Sequence, residues 1–163
     1  MAATTAMVES GPSVEILYRT DGERLWRALY AFCGDEEIAG DALNEAFAQL
    51  IRRGDGVRDR AAWVWRAAFA VARGALLDRR TALRATASTD QPIAVLDRYA
   101  DPDLMTAVRQ LPDAQRAAVI LFYFADLPIR QIASRLGTNS LAVRANLSRG
   151  RRRLRSILGD TDA

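Results

Sequence analysis

Histidine and lysine are absent from this chain of 163 residues, and cysteine occurs only at Cys33. Without histidine, and with a single thiol, the chain cannot build a zinc site, a Ser-His-Asp triad or a Cys-His dyad. Cys33 cannot form an intramolecular disulfide, which fits a reducing cytoplasm. These absences argue against an enzyme and predict that the protein uses no metal and no cofactor.

Long apolar runs are also lacking. No stretch approaches the ~20 residues that a membrane span needs, and the N-terminus lacks the basic-then-apolar layout of a signal peptide. We therefore expect a soluble, cytoplasmic protein with no membrane insertion. Residues 1–12 are rich in Ala, Thr, Ser and Gly, which predicts a disordered leader.

The basic residues are all arginine, 23 of them against 20 acidic residues, and their distribution is uneven. The net charge is −6 over residues 1–50, +6 over 51–87, −3 over 88–103 and +6 over 104–163. Such alternating blocks indicate separate binding surfaces. Two explanations for the exclusive use of arginine weigh equally: its bidentate contacts with phosphates and bases, or a G+C-rich genome.

The last third of the chain predicts a helix-turn-helix. Ile129, Ile132, Ala133 and Leu136 share one helical face, and Gly137 follows as the left-handed end of that helix. Residues 138–140 supply a polar cap for a second helix. Its apolar stripe consists of Val143, Leu147, Gly150, Leu154 and Leu158. The side chains that project away from that stripe are Arg144, Ser148, Arg149, Arg152 and Arg155.

Residues 127–158 contain no acidic residue and eight arginines: Arg130, Arg135, Arg144, Arg149, Arg151, Arg152, Arg153 and Arg155. A helix-turn-helix with this charge predicts DNA as the partner, with the second helix in the major groove. The alternative is a three-helix bundle with a solvated arginine face, but such faces normally mix both signs of charge.

The whole chain predicts an all-α fold of two small helical domains joined by a flexible linker. The N-terminal domain (13–80) contains three helices at Val14–Cys33, Glu36–Arg53 and Ala61–Arg80. Residues 81–103 are rich in Thr, Ser and Pro and form the linker, and residues 104–158 form the helix-turn-helix domain. Asp101-Pro102 suits the start of a helix.

The second of these helices has an acidic side. Glu37, Asp41 and Glu45 recur at every fourth position, with Asn44 between the last two. Like charges at this spacing weaken a helix by a few tenths of a kcal/mol per pair. This pattern fits a docking face for a basic partner about as well as an ordinary solvated face.

The third helix combines aromatic and basic residues. Trp63 and Trp65 cannot share one helical face, so we expect one to be buried and the other to be partly exposed beside Arg66. Aromatic rings among arginines suit single-stranded DNA, and the preceding Gly54-Asp-Gly-Val-Arg58 turn could accept a flipped base. The alternative is a Trp-rich core helix with solvated arginines.

Three motifs together resemble one known family. Leu111-Pro-Asp-Ala-Gln-Arg116, with the helix-turn-helix that follows it, looks like the promoter-recognition unit of bacterial sigma factors. Asp41-Ala-Leu-Asn-Glu-Ala-Phe-Ala-Gln-Leu50 is similar to the family's polymerase-binding helix, and Ala62-Trp-Val-Trp-Arg-Ala-Ala-Phe69 to its promoter-melting helix. The short linker resembles the small extracytoplasmic-function (ECF) branch. The resemblance covers about residues 14–158.

This resemblance implies a transcription initiation factor that binds core RNA polymerase, directs it to promoters and helps to melt the minus-ten element. The acidic face would dock on the β′ clamp helices through Asp41, Asn44 and Glu45. The minus-ten element would contact Gly54, Asp55, Gly56, Val57, Arg58, Trp63, Trp65 and Arg66. The minus-thirty-five element would contact Arg144, Asn146, Ser148, Arg149 and Arg151. Residues 121–124 would grip the β flap, and the resemblance leaves room for an anti-sigma factor.

The chain departs from the family's pattern at the turn, where residues 139–143 read Asn-Ser-Leu-Ala-Val. Leu141 and Ala142 stand where the family has Gly and Thr, which removes flexibility and one phosphate contact. Two other functions therefore stay open. One is a stand-alone helix-turn-helix regulator, which would not need the acidic helix. The other is a polymerase-binding adaptor that does not initiate transcription, which the altered turn supports.

Overall fold

The computed structural model describes residues 11–86 and 101–159, and every regular element in these two ranges is helical. The elements are α1 (Val14–Cys33), α2 (Glu36–Arg53), a 3-10 turn (Gly54–Gly56), α3 (Arg60–Thr86), α4 (Pro102–Arg109), α5 (Asp113–Val119), a π-helical turn (Ile120–Phe124), α6 (Ile129–Leu136) and α7 (Ser140–Gly159). The all-α fold class is confirmed. We call residues 11–86 the N-terminal unit and residues 101–159 the C-terminal unit. Most of the predicted leader and linker lies outside the described residues.

The first two helices begin and end where the sequence predicts, because polar caps define their ends. The Ser13 side chain accepts a hydrogen bond from the Ile16 amide, and Gly34 ends α1 in the left-handed conformation, with φ 70°. The Asp35 carboxylate then accepts from the Ile38 amide at 3.0 Å and starts α2. Each cap of this kind stabilises a helix by about 1 kcal/mol.

Helix α3 is longer than predicted. It runs to Thr86, whereas the sequence pattern placed its end at Arg80 and the start of the linker at residue 81. Residues 81–86 contain neither Gly nor Pro, and Leu83 is half-buried, so nothing in this stretch stops the helix. The Thr81 hydroxyl donates to the Leu77 carbonyl at 3.0 Å, so the hydrogen bond of this polar side chain is made within the helix.

The C-terminal unit begins as predicted, with the Asp101 carboxylate accepting from the Asp103 amide and Pro102 in the first helical turn. Between α5 and α6 the chain widens into the π-helical turn, where the Ala125 amide donates to the Ile120 carbonyl at 3.1 Å. This turn places Tyr123 and Phe124 at the surface, while Ile120 is buried.

The buried side chains of both units form one continuous cluster. Helices α1, α2 and α3 pack around Leu25, Leu50 and Phe69, and the C-terminal unit packs around Ile132 and Leu147. Burial of each such side chain stabilises the fold by about 1.5–3 kcal/mol. Helix α6 also packs directly on α3, so the two units touch. Within the described ranges, no helix has the length and apolar character that a bilayer crossing requires.

Candidate nucleic-acid interface

The turn between α6 and α7 has the predicted geometry. Gly137 is left-handed, with φ 68° and ψ 36°, and the Thr138 amide closes the turn onto the Ala133 carbonyl at 2.9 Å. The Asn139 side chain accepts from the Ala142 amide at 2.8 Å and caps α7. This cap holds the start of α7 at a fixed angle to α6, as a helix-turn-helix requires.

The predicted apolar stripe of α7 is confirmed. Val143, Leu147 and Gly150 are buried, and Leu154 and Leu158 are half-buried. Gly150 allows the closest approach, because a Cβ built at this position would lie 2.9 Å from Val119 Cγ2 of α5. The stripe therefore fixes which side of α7 faces the solvent.

The residues predicted to contact the minus-thirty-five element lie on that solvent side. Arg144, Ser148, Arg149 and Arg151 are exposed, and Asn146 is half-buried. Arg151 also donates to the Tyr123 hydroxyl at 3.1 Å, which links α7 to the π-helical turn. In the described ranges, no carboxylate pairs with the arginines of α7 at ion-pair distance, so their charge is available to a polyanion.

One of the eight arginines does not belong to this surface. Arg135 counts toward the charge of residues 127–158, but it is buried, with 9% of its surface exposed. Its guanidinium lies 4.7 Å from the centre of the Trp65 ring, and its Nη2 lies 3.7 Å from Asp21 Oδ2. The Arg135 side chain therefore faces the N-terminal unit and is not available to DNA in this structure.

The turn predicted to accept a flipped nucleobase, residues 54–58, is exposed and is held in place by hydrogen bonds from Arg60. Gly54, with φ 63°, leads into the 3-10 turn, and Asp55, Gly56 and Arg58 are exposed while Val57 is half-buried. Arg60 donates to Asp55 Oδ1 at 2.7 Å and to the Pro12 carbonyl at 3.1 Å. These two hydrogen bonds tie the turn to the start of α1.

The two tryptophans divide as predicted into one buried and one partly exposed ring. Trp63 is half-buried, and the Arg53 guanidinium lies 5.4 Å from the centre of its ring. Trp65 is 0% exposed and donates its indole N–H to Asp21 Oδ2 at 2.9 Å. In this conformation a base can therefore reach Trp63 but cannot stack on Trp65.

Arg66, the last residue of the predicted minus-ten set, is exposed but already hydrogen-bonded. Its Nη2 donates to the Ser134 carbonyl of α6 at 3.0 Å. A Cβ at Gly137 would lie 3.0 Å from Arg66 Nε, so the turn of the C-terminal unit rests against this side chain. The structure thus places Arg66 beside the C-terminal unit rather than in open solvent.

The acidic side of α2 is exposed along its length. Asp41, Asn44 and Glu45 all lie at the surface, while Leu43 and Phe47 on the opposite side are buried. Glu45 accepts from Gln49 at 2.8 Å and from Arg52 at 3.0 Å. The hydrogen bond from Gln49, with the nearby Arg52 charge, lowers the pKa of Glu45, so this carboxylate is ionised at neutral pH.

Sequence reasoning missed the roles of Arg53, Arg60 and Arg135. The pattern gives no signal for Arg53 or Arg135, since a local charge pattern does not reveal a distant partner. Arg60 carries a weak signal, because a basic residue at the first position of a helix opposes the helix dipole unless a carboxylate compensates it. Asp55 supplies that carboxylate.

Comparisons with known proteins agree with this geometry. Residues 102–154 match the family model for sigma-70, region 4. The chain is 28% identical to the ECF RNA polymerase sigma factor SigE of Mycolicibacterium smegmatis, over 90% of this chain and 62% of SigE, so it spans less than two thirds of that relative. The fold is similar to that of the sigma factor RpoE of Bartonella quintana, solved in complex with the anti-sigma factor NepR. The TM-score is 0.73 at 16% identity, over 89% of this chain and 96% of RpoE.

Proposed function

The chain belongs to the extracytoplasmic-function branch of the sigma-70 family, and we propose that it directs core RNA polymerase to promoters and helps to open them. The observation that carries this proposal is the exposed arginine side of α7, held by a buried stripe behind the capped Gly137 turn. Catalysis would belong to the polymerase. This chain would supply promoter specificity and strand opening in the cytoplasm.

Upstream-element recognition is assigned to α7. Arg144, Ser148 and Arg149 stand on one exposed side, where arginines can bind guanine edges and phosphates. Asn146 would contribute less because it is half-buried, and Arg151 would act together with Tyr123.

Minus-ten recognition is assigned to residues 54–58 together with Trp63. The anchored turn offers exposed backbone and the Arg58 charge, and the Trp63 ring beside Arg53 offers a surface for stacking an unpaired base. Arg66 would join this site when it is not bonded to the Ser134 carbonyl of α6, and the buried Trp65, which donates to Asp21 of α1, would support the site from within the core.

Polymerase binding is assigned to two surfaces. The exposed carboxylates of Asp41 and Glu45, with Asn44 between them, would dock on the β′ clamp helices. The exposed Tyr123 and Phe124 of the π-helical turn offer an apolar contact for the β flap. An anti-sigma factor is the proposed regulatory partner, as NepR is for the Bartonella protein.

An adaptor that binds polymerase without initiating is the second candidate. It is favoured by Leu141, which is 76% exposed in the first turn of α7, where it offers DNA no polar contact. A stand-alone regulator would leave the acidic side of α2 without a role.

In vitro transcription with core polymerase on fragmented host DNA, with RNA start sites mapped, tests the proposal. We expect defined starts that share an upstream sequence, and we expect the doubly substituted Arg144→Ala, Arg149→Ala protein to lose them while still binding the core. Core binding without any starts from the unsubstituted protein would favour the adaptor. If the unsubstituted protein shows neither core binding nor defined starts, the proposal is overturned and the stand-alone regulator remains.

A further inference from the structure

Leu141, in the first turn of α7, is more exposed than any other large hydrophobic side chain in the described ranges. It is 76% exposed, against 65% for Ile51, the next in order. At about 100° per residue, Leu141 lies about 160° around the helix from Val143 and about 180° from Gly150, which are both buried. Its side chain therefore points away from the core and contributes little to the packing of the C-terminal unit.

The same side of α7 carries cations and a second, smaller apolar group. Arg144 and Ser148, which follow Leu141 on this side, are exposed, and Ala145, one turn after Leu141, is half-buried. No residue from 127 to 158 is acidic. A single exposed leucine is ordinary on a protein surface, but here it lies in a surface of purely positive charge. A partner that covers Leu141 must therefore present negative charge close to an apolar group.

The first turn of α7 is formed before any partner binds. The Asn139 side chain accepts from the Ala142 amide at 2.8 Å, and the Asn139 carbonyl accepts from the Val143 amide at 3.1 Å. These hydrogen bonds fix the backbone at Leu141 and hence the direction in which its side chain projects. A group that is already ordered loses less entropy on binding, so the contact that it makes retains more of its free energy.

Duplex DNA offers the matching combination of groups in its major groove. The N-terminal residues of the second helix of a helix-turn-helix contact the base edges there. Thymine presents a 5-methyl group, which apolar side chains contact, and guanine presents O6 and N7, which arginine binds. Leu141 and Arg144 are about 4.5 Å apart along the axis of α7, and successive base pairs are about 3.4 Å apart. The two side chains can therefore contact base pairs that are one or two steps apart.

We propose that Leu141 determines promoter specificity by contacting the 5-methyl group of a thymine, one or two base pairs from the guanine that Arg144 would bind. The inference rests on the proposed function, since it requires α7 to enter the major groove at the upstream element. It also gives a role to the leucine that stands where the family has glycine, because a side chain at this position reaches a base edge that glycine does not. The absence of a polar group at this position then no longer favours an adaptor.

Removal of single methyl groups from the DNA tests this contact. The full chain, assembled with core polymerase, first selects its preferred duplex from a random-sequence library in the presence of competitor DNA. Each thymine of that duplex is then replaced in turn by deoxyuridine, which lacks only the 5-methyl group. We expect one replacement, within two base pairs of a selected guanine, to weaken binding about three- to fivefold, as the loss of one buried methyl group would. Fluorescence anisotropy with labelled duplexes measures this change.

Substitutions at position 141 show whether this side chain reads the methyl group. Leu141→Ala should bind the thymine and deoxyuridine duplexes equally, whereas Leu141→Met, which keeps the apolar reach, should still distinguish them. The matched control is Leu77→Ala, which shortens another exposed leucine, on α3, and should distinguish the two duplexes as well as the unsubstituted chain does. Circular dichroism verifies that each variant keeps its helix content.

The outcomes separate this inference from the proposed function. If no duplex is selected, the proposed promoter recognition fails, and the thymine contact fails with it. If a duplex is selected but no deoxyuridine replacement weakens binding, or if Leu141→Ala still distinguishes the two duplexes, the thymine contact is overturned while recognition by Arg144 stands. A Leu141→Ala protein that loses core binding instead would place Leu141 at a protein interface and would also overturn the contact.

Discussion

Gly150 of α7 lies so close to Val119 of α5 that a Cβ at position 150 would come within 2.9 Å of Val119 Cγ2. This approach seats α7 on the core of the C-terminal unit. Because the contact is side chain to backbone, with no room for a methyl group, the glycine is required for packing rather than for its backbone conformation.

Gly150→Ala should therefore destabilise the protein. Overpacking of this kind costs about 1–3 kcal/mol, while the better helix propensity of alanine returns about 0.5–1 kcal/mol. Urea denaturation measures the difference. Gly74→Ala is the matched control, since a Cβ there meets nothing within 4 Å and should stabilise α3. In a Val119→Ala background, Gly150→Ala should cost less, because the methyl group that it meets is gone. A stabilised Gly150→Ala protein would contradict the packing argument.

The sequence predicts local features of this fold well and its long-range contacts poorly. The ends of α1 and α2, the Gly137 turn and the stripe of α7 follow from capping and helical periodicity, which act within a few residues. The partnership of Arg135 with Asp21 joins residues more than a hundred positions apart. A helical arginine has the same sequence pattern whether its side chain faces solvent, DNA or another helix, so periodicity could not identify this contact.

Among the candidate site residues, too, exposure that depends on local helical periodicity can be predicted, whereas burial that depends on the tertiary fold cannot. The exposure of Asp41, Glu45 and Arg144 follows from the face that each helix must bury. The burial of Trp65 rather than Trp63 depends on which helix packs over α3, and this is a property of the tertiary fold. Composition alone does not predict the extension of α3 to Thr86, because residues 81–86 precede a polar stretch but contain no helix breaker themselves.

Arg60 should act as a positioning residue for the Gly54–Gly56 turn. Arg60→Ala removes the hydrogen bonds to Asp55 and to the Pro12 carbonyl. The Asp55 carboxylate is exposed while the Arg60 side chain is only 10% exposed, so this pair should contribute at least the 0.2–1 kcal/mol or so of a surface ion pair. We therefore expect minus-ten strand binding to weaken a few fold, with core-polymerase binding unchanged. Fluorescence anisotropy with a labelled strand measures this. Arg73→Ala, which loses the same charge elsewhere on α3, should weaken strand binding less. Equal weakening by both variants would show that Arg60 acts only through its charge and does not position the turn.

Arg144 and Arg149 should carry upstream-element binding. Alanine at either position should weaken binding to duplex promoter DNA by about 1–3 kcal/mol if the lost contact is to a base, and should lower the salt slope by about 1 if it is to a phosphate. Titrations at several salt concentrations distinguish the two cases. Arg19→Ala, which removes the same charge from the exposed surface of α1, is the control. Loss of core binding in either variant would mean that folding, not recognition, had been disturbed.

The acidic side of α2 should bind core polymerase. Reversal of Asp41 and Glu45 to arginine places like charges against a basic partner, which costs several kcal/mol across an interface. We expect at least tenfold weaker core binding, measured by surface plasmon resonance, with unchanged helix content. Asp78→Arg, an exposed reversal on α3, should bind nearly as well as the unsubstituted chain. Undiminished binding after the double reversal would remove the docking assignment from this face.

Cys33 should make stability depend on pH in the alkaline range. Burial raises the pKa of this thiol above its ordinary value, and its Sγ donates to the Asp35 carbonyl at 3.3 Å. The folded state therefore keeps the proton after the unfolded state has lost it, so the free energy of unfolding falls as pH rises above about 8.5, by at most about 1.4 kcal/mol per pH unit. Since the chain has no histidine or lysine, few other groups titrate there.

Urea denaturation under reducing conditions at pH 7 to 10, for the unsubstituted chain and Cys33→Ala, isolates the contribution of this thiol to the free energy of unfolding. We expect the stability difference between the two to shrink with rising pH, and a constant difference would show that the thiol does not titrate differently in the folded state.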